Sequence, residues 1–210
     1  MEETVRAFFE SLPTVKQYKP GELILRQGEP ATEFCYLKSG LVQGLVITPD
    51  GHERIVLFSP AHRVFGAASF FTEALRQTTV EAVQRSTVVF VGESDLQRGL
   101  SEIEEFAASM FRELSLDILD SFSETVSSML LTADLRVARF IFRHMKKTKA
   151  KDIYEFPYSQ VFIARTLGLS RWSVNRSIQA FKAHGWLDSQ YGRCIIKESE
   201  KLYNFCFGEK

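Results

Sequence analysis

The sequence has few cysteines and no long hydrophobic run. Its three cysteines, Cys35, Cys194 and Cys206, are odd in number and scattered, which disfavours a disulfide framework and suggests a reducing cytoplasm. They are too few for one chain to hold an iron–sulfur cluster through four thiolates, so no such cluster is expected. No apolar run approaches the roughly 20 residues that span a membrane, so no membrane partner is expected. The acidic first residues do not have the pattern of a secretory signal.

Histidine is also scarce, and common enzyme motifs are missing. The four histidines, His52, His62, His144 and His184, are spread too widely to indicate a metal cluster. The chain has no P-loop, nucleophile elbow or dinucleotide fingerprint. We therefore expect neither catalysis nor a metal site. A jelly-roll enzyme with a regulatory tail is the less favoured alternative, because such enzymes usually need clustered histidine and carboxylate ligands.

The chain as a whole has no net charge, but its two parts do. Residues 1–135 contain 11 Lys and Arg against 20 Asp and Glu, a balance of −9. Residues 136–210 contain 15 against 6, a balance of +9. Such asymmetry suggests two domains with different partners, and the basic part is the candidate for a polyanion. The alternative is that exposed surface charges are distributed unevenly between the two parts by chance and have no functional meaning.

Residues 22–92 have the pattern of short β-strands. Runs rich in Val, Ile, Leu, Phe and Thr alternate with Pro and Gly turn signals at roughly 8–12 residues, which predicts a β-sandwich or jelly roll. Pro49-Asp50-Gly51 is the clearest hairpin turn, because glycine adopts positive φ without steric cost. A short helix over residues 3–12 is predicted to end at Pro13. The predicted strands are 22–26, 34–38, 42–48, 54–59, 79–83 and 87–91.

Residues 101–156 contain neither proline nor glycine and carry one long apolar stripe. Ser101 and Glu104 form a capping box, and the stripe continues over 27 residues, roughly 40 Å of helix. Its length favours a parallel dimer seam over the alternative, a helix packed on its own β-domain. A second helix is predicted over residues 135–146, capped by Asp134. The stripe consists of Ile103, Phe106, Met110, Leu114, Ile118, Phe122, Val126 and Met129.

The strongest motif lies in residues 159–181. Ser159 and Ser170 are candidate N-caps of two helices, and Gly168 ends the first helix in a tight turn. The spacing Ala164-x3-Gly168-x5-Val174 is what a helix-turn-helix needs, because a small residue lets the helices approach and a β-branched residue fixes the second on the first. Candidate DNA contacts are Ser159, Gln160, Ser170, Arg171, Trp172, Ser173, Asn175, Arg176 and Arg193.

Two features flank this motif. Residues 186–196 predict a two-stranded wing with Gly192 at its tip, which favours DNA binding over an ordinary helix pair. Residues 146–151, K-K-T-K-A-K, form a basic run without large apolar residues. That run is either a solvated loop or a set of phosphate contacts beside the DNA-binding unit.

Residues 168–176, G-L-S-R-W-S-V-N-R, are similar to the G-x-S-R-E-T-V-x-R stretch of the cyclic-AMP receptor protein and fumarate–nitrate reductase regulator (CRP/FNR) family. Weaker likeness to the family's glycine landmarks comes from Gly28-Glu29, Lys38-Ser39-Gly40, Asp50-Gly51 and Phe65-Gly66. The resemblance covers nearly the whole chain. It implies a homodimeric transcription regulator that binds double-stranded DNA at an inverted-repeat operator and responds to a small-molecule effector in its β-roll. RNA polymerase is a further candidate partner.

The same resemblance implies an α+β architecture in three parts. Residues 1–100 are expected to form an effector-sensing β-roll, a double-stranded jelly roll of the cyclic-nucleotide-binding type. Residues 101–132 are expected to form a dimerisation helix, and residues 133–210 a winged helix-turn-helix that binds DNA.

The chain departs from the family at two places. Trp172 stands where the family usually has glutamate, so the operator should differ, because an indole cannot accept a hydrogen bond from cytosine N4. Cyclic-nucleotide binders place a glutamate just after the glycine at Gly66, whereas this chain has alanine there. We therefore expect an effector other than cyclic AMP, although a rearranged loop with Glu73 is one way to replace the acceptor. The candidate effector-binding residues are Arg63, Gly66, Ala67, Ser69, Arg76, Gln77, Thr78, Thr79 and Ser121.

A third hypothesis keeps the regulator but makes the β-roll a haem or redox sensor. Its candidate groups are His52, His62 and Cys35. A lone histidine is more often a surface or hydrogen-bonded residue, and a lone cysteine is more often a small buried hydrophobe.

Overall fold

A computed structural model of the chain describes residues 1–47, 53–147, 154–156, 159–190 and 193–208. They form two compact units, Met1–Phe122 and Ser123–Lys210, and each unit has its own hydrophobic core. The predicted turn at Pro49-Asp50-Gly51 lies outside the described residues, and so does the predicted tip of the wing at Gly192.

The first unit is a sandwich of two antiparallel sheets with helices beside it. Its strands are β1 (Val15–Tyr18), β2 (Leu23–Leu25), β3 (Phe34–Ser39), β4 (Leu41–Ile47), β5 (Glu53–Pro60), β6 (Val64–Phe65), β7 (Thr79–Ala82) and β8 (Ser86–Val91). Each sheet has four strands, in the orders β1-β8-β3-β6 and β2-β7-β4-β5. The predicted β-roll is confirmed. The hydrophobic pattern did not predict β1, because three of its four residues are exposed. It did not predict β6 either, because that strand has only two residues.

The core of the first unit is rich in aromatic side chains. Helix α1 (Glu3–Ser11) buries Val5, Phe8 and Phe9. The ring of Phe9 stacks on Tyr36 of β3 with 5.0 Å between the centroids. β3 is central because it pairs with both β8 and β6, and its residues from Phe34 to Leu37 are buried on both faces. Burial on both faces explains why this strand is a continuous apolar run rather than an alternating one.

The long helix begins later than predicted. Two shorter helices, α2 (Ala67–Phe71) and α3 (Glu93–Glu102), precede it. Ser101 lies within α3, and its Oγ donates to the carbonyl oxygen of Arg98 at 3.0 Å, so the expected capping box at Ser101 is wrong. Helix α4 extends over Phe106–Leu130, 25 residues. Helices α3 and α4 come close where Phe106 packs against Gly99, at which an added Cβ would lie 2.5 Å from the Phe106 ring.

The apolar stripe of α4 divides into two parts. Phe106 and Met110 are buried in the core of the first unit, and Ile103 and Leu114 pack against that core. This part of the stripe is therefore covered within the chain, which corrects the expectation of one continuous seam from residue 103 to 129. The second part stays exposed. We call it the α4 apolar face, and it consists of Phe111 (71% exposed), Ile118 (68%), Leu119 (60%), Phe122 (65%), Val126 (37%), Met129 (77%) and Leu130 (77%).

The second unit contains a helical core and one four-stranded sheet. Its elements are α5 (Ala133–His144), β9 (Lys146–Lys147), β10 (Tyr154–Phe156), α6 (Gln160–Leu167), α7 (Arg171–Ala183), β11 (Leu187–Gln190), β12 (Arg193–Ile196) and α8 (Ser199–Phe207). The sheet order is β11-β12-β10-β9. The prediction from the sequence did not include α8, which buries Leu202 and Cys206.

Thr132, not Asp134, caps α5. Thr132 Oγ1 accepts a hydrogen bond from the backbone N–H of Leu135 at 3.4 Å. Asp134 instead accepts a hydrogen bond from Ser177 Oγ of α7, with Oδ1 at 2.6 Å. The prediction of Asp134 as the cap was wrong because both residues suit the position, and the tertiary partner of Asp134 decides between them.

Candidate functional site

Local hydrogen bonds build the helix-turn-helix as the sequence predicts. Ser159 Oγ accepts from the N–H of Phe162 at 3.2 Å and caps α6. Gly168 follows that helix with a φ of 60°, a left-handed conformation that favours glycine. Ser170 Oγ accepts from the N–H of Ser173 at 3.0 Å and caps α7. The predicted caps and turn are confirmed, and together they fix the start of α7.

Buried side chains hold the two helices together. Ala164 of α6 and Val174 of α7 belong to one core cluster with Ile163, Ile178 and Phe181. Because these residues occupy the inner side of α7, its other side faces solvent. The exposed residues at the start of α7 are Arg171, Trp172, Asn175 and Arg176, and Ser173 is partly exposed. The structure thus brings the predicted recognition residues onto one outward surface of α7.

Trp172 and Arg176 form a pair on this surface. The guanidinium carbon of Arg176 lies 5.1 Å from the centroid of the Trp172 ring, which is a cation–π contact. Arg176 Nη2 also lies 4.0 Å from Asp134 Oδ1. The Trp172 side chain remains 68% exposed.

The remaining predicted DNA contacts lie near the same motif. Ser159 is exposed and Gln160 is partly exposed at the start of α6. Arg193 begins β12, and its side chain lies outside the described residues. The wing strands β11 and β12 pair antiparallel from Leu187 opposite Ile196 to Gln190 opposite Arg193. Of the basic run 146–151, only the backbone of β9 is described.

The predicted effector segment surrounds a buried arginine. Arg76 is 5% exposed, and its Nη1 donates to the carbonyl oxygen of Gly66 at 2.9 Å. Its Nη2 donates to the carbonyl oxygen of Glu33. Gly66 has a φ of 73°, and a Cβ there would lie 2.8 Å from Arg76 Nη1. The left-handed backbone conformation favours glycine at this position, and a side chain there would also force the Arg76 guanidinium to move.

Most of the other predicted effector residues are near this arginine in sequence, apart from Ser121 on α4, and two of them have hydrogen-bond partners in the protein. Thr79 Oγ1 accepts from the N–H of Gln27 at 3.0 Å, and Gln77 donates to the carbonyl oxygen of Leu75 at 2.8 Å. Ala67 and Ser69 of α2 (Ala67–Phe71) are buried. Thr78 is partly exposed, and Ser121 is exposed on α4.

Arg63 has partners that sequence analysis missed. Its Nε donates to Glu113 Oε2 at 2.7 Å and its Nη2 to Asp117 Oδ1 at 2.8 Å, both on α4. This differs from the predicted role of Arg63 beside an anionic effector, because two carboxylates already compensate its charge. Desolvation raises the pKa of Asp117 above its ordinary value, and the charge of Arg63 opposes that rise. The spacing of Glu113 and Asp117 on one helix face could have indicated a cation between them.

The two described groups of the sensor hypothesis, the Cys35 thiol and the His62 ring, are shielded or engaged. Cys35 is fully buried, and burial raises the pKa of its thiol. His62 Nδ1 lies 3.0 Å from the hydroxyl of Tyr36, and His52 lies outside the described residues. In the described part of the chain, no three His, Cys, Asp or Glu side chains are grouped as metal ligands. None of the helices described has the length and apolar character of a membrane span.

The fold and the exposed surface of α7 define a class of protein: a β-roll domain with a winged helix-turn-helix in the same chain. Residues 15–102 match the family model of the cyclic nucleotide-binding domain. Residues 135–205 match that of the Crp-like helix-turn-helix domain. The two matches cover most of the chain. The chain belongs to the CRP/FNR family of transcription regulators.

Named relatives agree with this assignment at low identity. The transcriptional activator protein anr of Pseudomonas aeruginosa is 23% identical over 195 residues, covering 91% of this chain and 80% of that protein. The CRP-like cAMP-activated global transcriptional regulator of Mycobacterium tuberculosis is 21% identical over 196 residues, covering 89% and 88%. The structure of FixK2 from Bradyrhizobium japonicum has a TM-score of 0.78 at 22% identity, covering 92% and 97%. At this identity the structural likeness establishes the fold.

Proposed function

We propose that this chain is a homodimeric, sequence-specific DNA-binding regulator controlled by a small molecule in its β-roll, and that this molecule is not cyclic AMP. The observation that carries the proposal is the outward surface at the start of α7. Arg171, Trp172, Asn175 and Arg176 are exposed there together, while the opposite side of the helix is fixed in a core. An α-helix fits the major groove of B-DNA, and the first residues of a recognition helix contact the base edges.

Charge supports the same partner. Residues 136–210 carry a balance of +9, which attracts a polyanion and raises the rate of encounter with it. Arginine can bond guanine O6 and N7 bidentately, so Arg171 is the leading candidate for a base contact. We propose Ser159 and Gln160 at the start of α6 as contacts to the DNA backbone, because they are at least partly exposed and helix N-termini present free N–H groups to phosphates.

The homodimer is proposed from the α4 apolar face. Ile118, Phe122 and Met129 are each at least 65% exposed in the single chain. An apolar surface of this kind on a soluble protein is usually an interaction site. A second copy supplies the same residues in return, which is how a two-fold interface works. Two recognition helices related by that axis would read an inverted repeat with half-sites about one helical turn apart.

The exclusion of cyclic AMP is proposed from the surroundings of Gly66. Ala67 and Ala68 follow it and supply no carboxylate for a ribose hydroxyl. A buried hydroxyl without an acceptor costs roughly 1–3 kcal/mol. Arg76, the candidate phosphate partner, already donates to the carbonyl oxygens of Gly66 and Glu33. Two of the five guanidinium N–H donors of this buried arginine are therefore already engaged by the protein.

The test begins with selection of bound sequences from random DNA by the purified protein. An inverted repeat is expected. Arg171→Ala should weaken binding to the selected operator by roughly 1–3 kcal/mol and relax specificity at one position. If Arg171→Ala and Arg176→Ala both bind like the wild type, the assignment of α7 as the recognition helix is wrong. Calorimetry with cyclic AMP tests the effector: micromolar binding together with tighter operator binding would overturn its exclusion.

A further inference from the structure

Trp172 is a large, mostly apolar side chain on a surface that is proposed to bind a polar, negatively charged partner, which is unusual. It lies in the first turn of α7 and is 68% exposed. A large aromatic side chain left in water at the centre of a polar surface loses the benefit of burial, and such residues are typical anchors of interfaces. The proposed function supplies the partner that would cover it, and the inference below rests on that function.

The position of the indole is restrained by its neighbour one turn later. Arg176 lies four residues after Trp172, and its guanidinium carbon is 5.1 Å from the indole centroid. Asp134 Oδ1 lies 4.0 Å from Arg176 Nη2. Asp134 is itself held by the 2.6 Å hydrogen bond from Ser177. Arg176 thus spans the indole and the carboxylate, which restricts both long side chains before any DNA is bound.

The chemistry of an indole limits which base it can select. It has one N–H donor and no acceptor, so it cannot receive a hydrogen bond from cytosine N4. Most of its surface is apolar. In the major groove only thymine presents an apolar group, the C5-methyl. The cation–π contact with Arg176 occupies one face of the ring, so the ring edge and the other face remain available to that methyl group.

We propose that Trp172 is a specificity-determining residue that selects a thymine in each operator half-site through its C5-methyl group, and that Arg176 is the positioning residue that orients the indole. The consequence is an operator with a thymine at the position where a carboxylate in place of Trp172 would favour cytosine.

The test changes single methyl groups in the selected operator. Each thymine of a half-site is replaced by deoxyuridine, one at a time, which removes the methyl and preserves base pairing. One replacement should weaken wild-type binding about fourfold, which is the change in Kd expected when one buried methyl group is lost. The same replacement should have no effect on Trp172→Ala. Placing 5-methylcytosine in the same position should recover binding relative to cytosine in the wild type only.

Matched variants separate this role from a general structural one. Tyr203→Ala removes another exposed aromatic ring, 50% exposed on α8, and should retain the full methyl effect. Arg176→Gln should reduce the methyl effect, because the ring loses its cation. Trp172→Phe is used if Trp172→Ala does not fold, and it should show a smaller methyl effect than the wild type.

The outcomes are distinguishable from failure of the proposed function. If no operator is selected, the proposed function fails. If an operator is selected but no deoxyuridine replacement weakens binding, the inference about Trp172 is overturned and the function stands. The inference is also overturned if Trp172→Ala keeps the full methyl effect, because another residue then contacts the thymine.

Discussion

Arg63 and Glu113 are 2.7 Å apart, between Nε of one and Oε2 of the other, although 50 residues separate them in the chain. The pair joins the segment before β6 to the first half of α4 inside the first unit. The Glu113 side chain is only 2% exposed, and its other cationic neighbour, the N-terminal ammonium of Met1, lies farther away, 3.8 Å from Oε1. Removing Arg63 would take away the closer partner of a buried carboxylate, which is more costly than the net worth of the pair itself.

Arg63→Ala should therefore lower the free energy of unfolding by roughly 3 kcal/mol. Urea unfolding of the full chain at neutral pH measures the loss. Arg26→Ala is the control, because Arg26 and its partner Glu29 are 64% and 59% exposed, and such surface pairs are worth about 1 kcal/mol or less. Equal losses in the two variants would show that Glu113 does not need Arg63.

Asp117 should give stability a distinct pH dependence. Its folded-state pKa is raised above the ordinary value of 3.8, chiefly by desolvation. The native state therefore holds the proton more tightly than the unfolded state. The contribution of Asp117 to stability is complete below its unfolded pKa and is lost as pH rises through its folded pKa.

The comparison of wild type with Asp117→Asn isolates this effect. As the pH rises above about 4, the free energy of unfolding of the wild type should fall relative to that of Asp117→Asn. Denaturant unfolding at several pH values gives both curves. A wild type that gains stability over Asp117→Asn across this range would mean that the ion pair with Arg63 outweighs desolvation.

The three thiols should resist modification in the native protein. Cys35, Cys194 and Cys206 are all buried, and burial raises the pKa of Cys194 and of Cys206 to about 11. At pH 8 a thiol with that pKa is thiolate in only about one molecule in a thousand, and the thiolate is the reactive form.

A colorimetric disulfide reagent should therefore detect the thiols slowly in the native protein and rapidly after denaturation. The Cys35→Ala variant identifies which thiol contributes any early signal. Reaction of Cys35 in the native protein at the rate of free cysteine would contradict its burial, and it would revive the redox-sensor hypothesis.

Ile118→Asp should convert a dimer into a folded monomer. Ile118 is 68% exposed in one chain, so the substitution should cost the single chain little. In a two-fold interface the two new carboxylates would be buried near each other, which is strongly unfavourable. Light scattering with circular dichroism measures mass and fold together.

Ser128→Asp provides the matched control. Ser128 is exposed on the same helix and lies ten residues on, about 80° around the axis on the side away from Leu119 and Leu130. It should leave the mass unchanged. A wild type that is monomeric at micromolar concentration would remove the basis for the dimer.

The features that the sequence predicted correctly are those set by neighbouring residues. Ser159, Gly168 and Ser170 each act within a few positions of themselves, so their cap and turn roles could be assigned without tertiary information. The start of α4 could not be assigned in this way, because periodicity identifies an apolar face but not the surface that covers it. Phe106 packs on Gly99, a contact that only the folded chain reveals.

In the candidate site, too, features set by neighbouring residues could be predicted from the sequence, and features set by tertiary contacts could not. The exposed positions of α7 follow from helical periodicity and the buried positions of Val174 and Ile178. The partners of Arg63 and Arg76 do not, because they come from loops and from α4, 10 to 54 residues away in the sequence. The choice between Thr132 and Asp134 as a cap likewise depended on Ser177, 43 residues beyond Asp134.

The α4 apolar face also bears on how much of this protein a cell has to make. If two copies pair along this face, the paired fraction rises with the concentration of the chain by mass action. It falls when cell growth dilutes the protein or when proteolysis removes it. Operator occupancy at low protein concentration should then rise with about the second power of total protein, whereas a first-power rise would contradict pairing on this scale. Changes in the synthesis or degradation of the regulator would thus change operator occupancy by themselves. The copy number of the chain would control occupancy even before any effector binds.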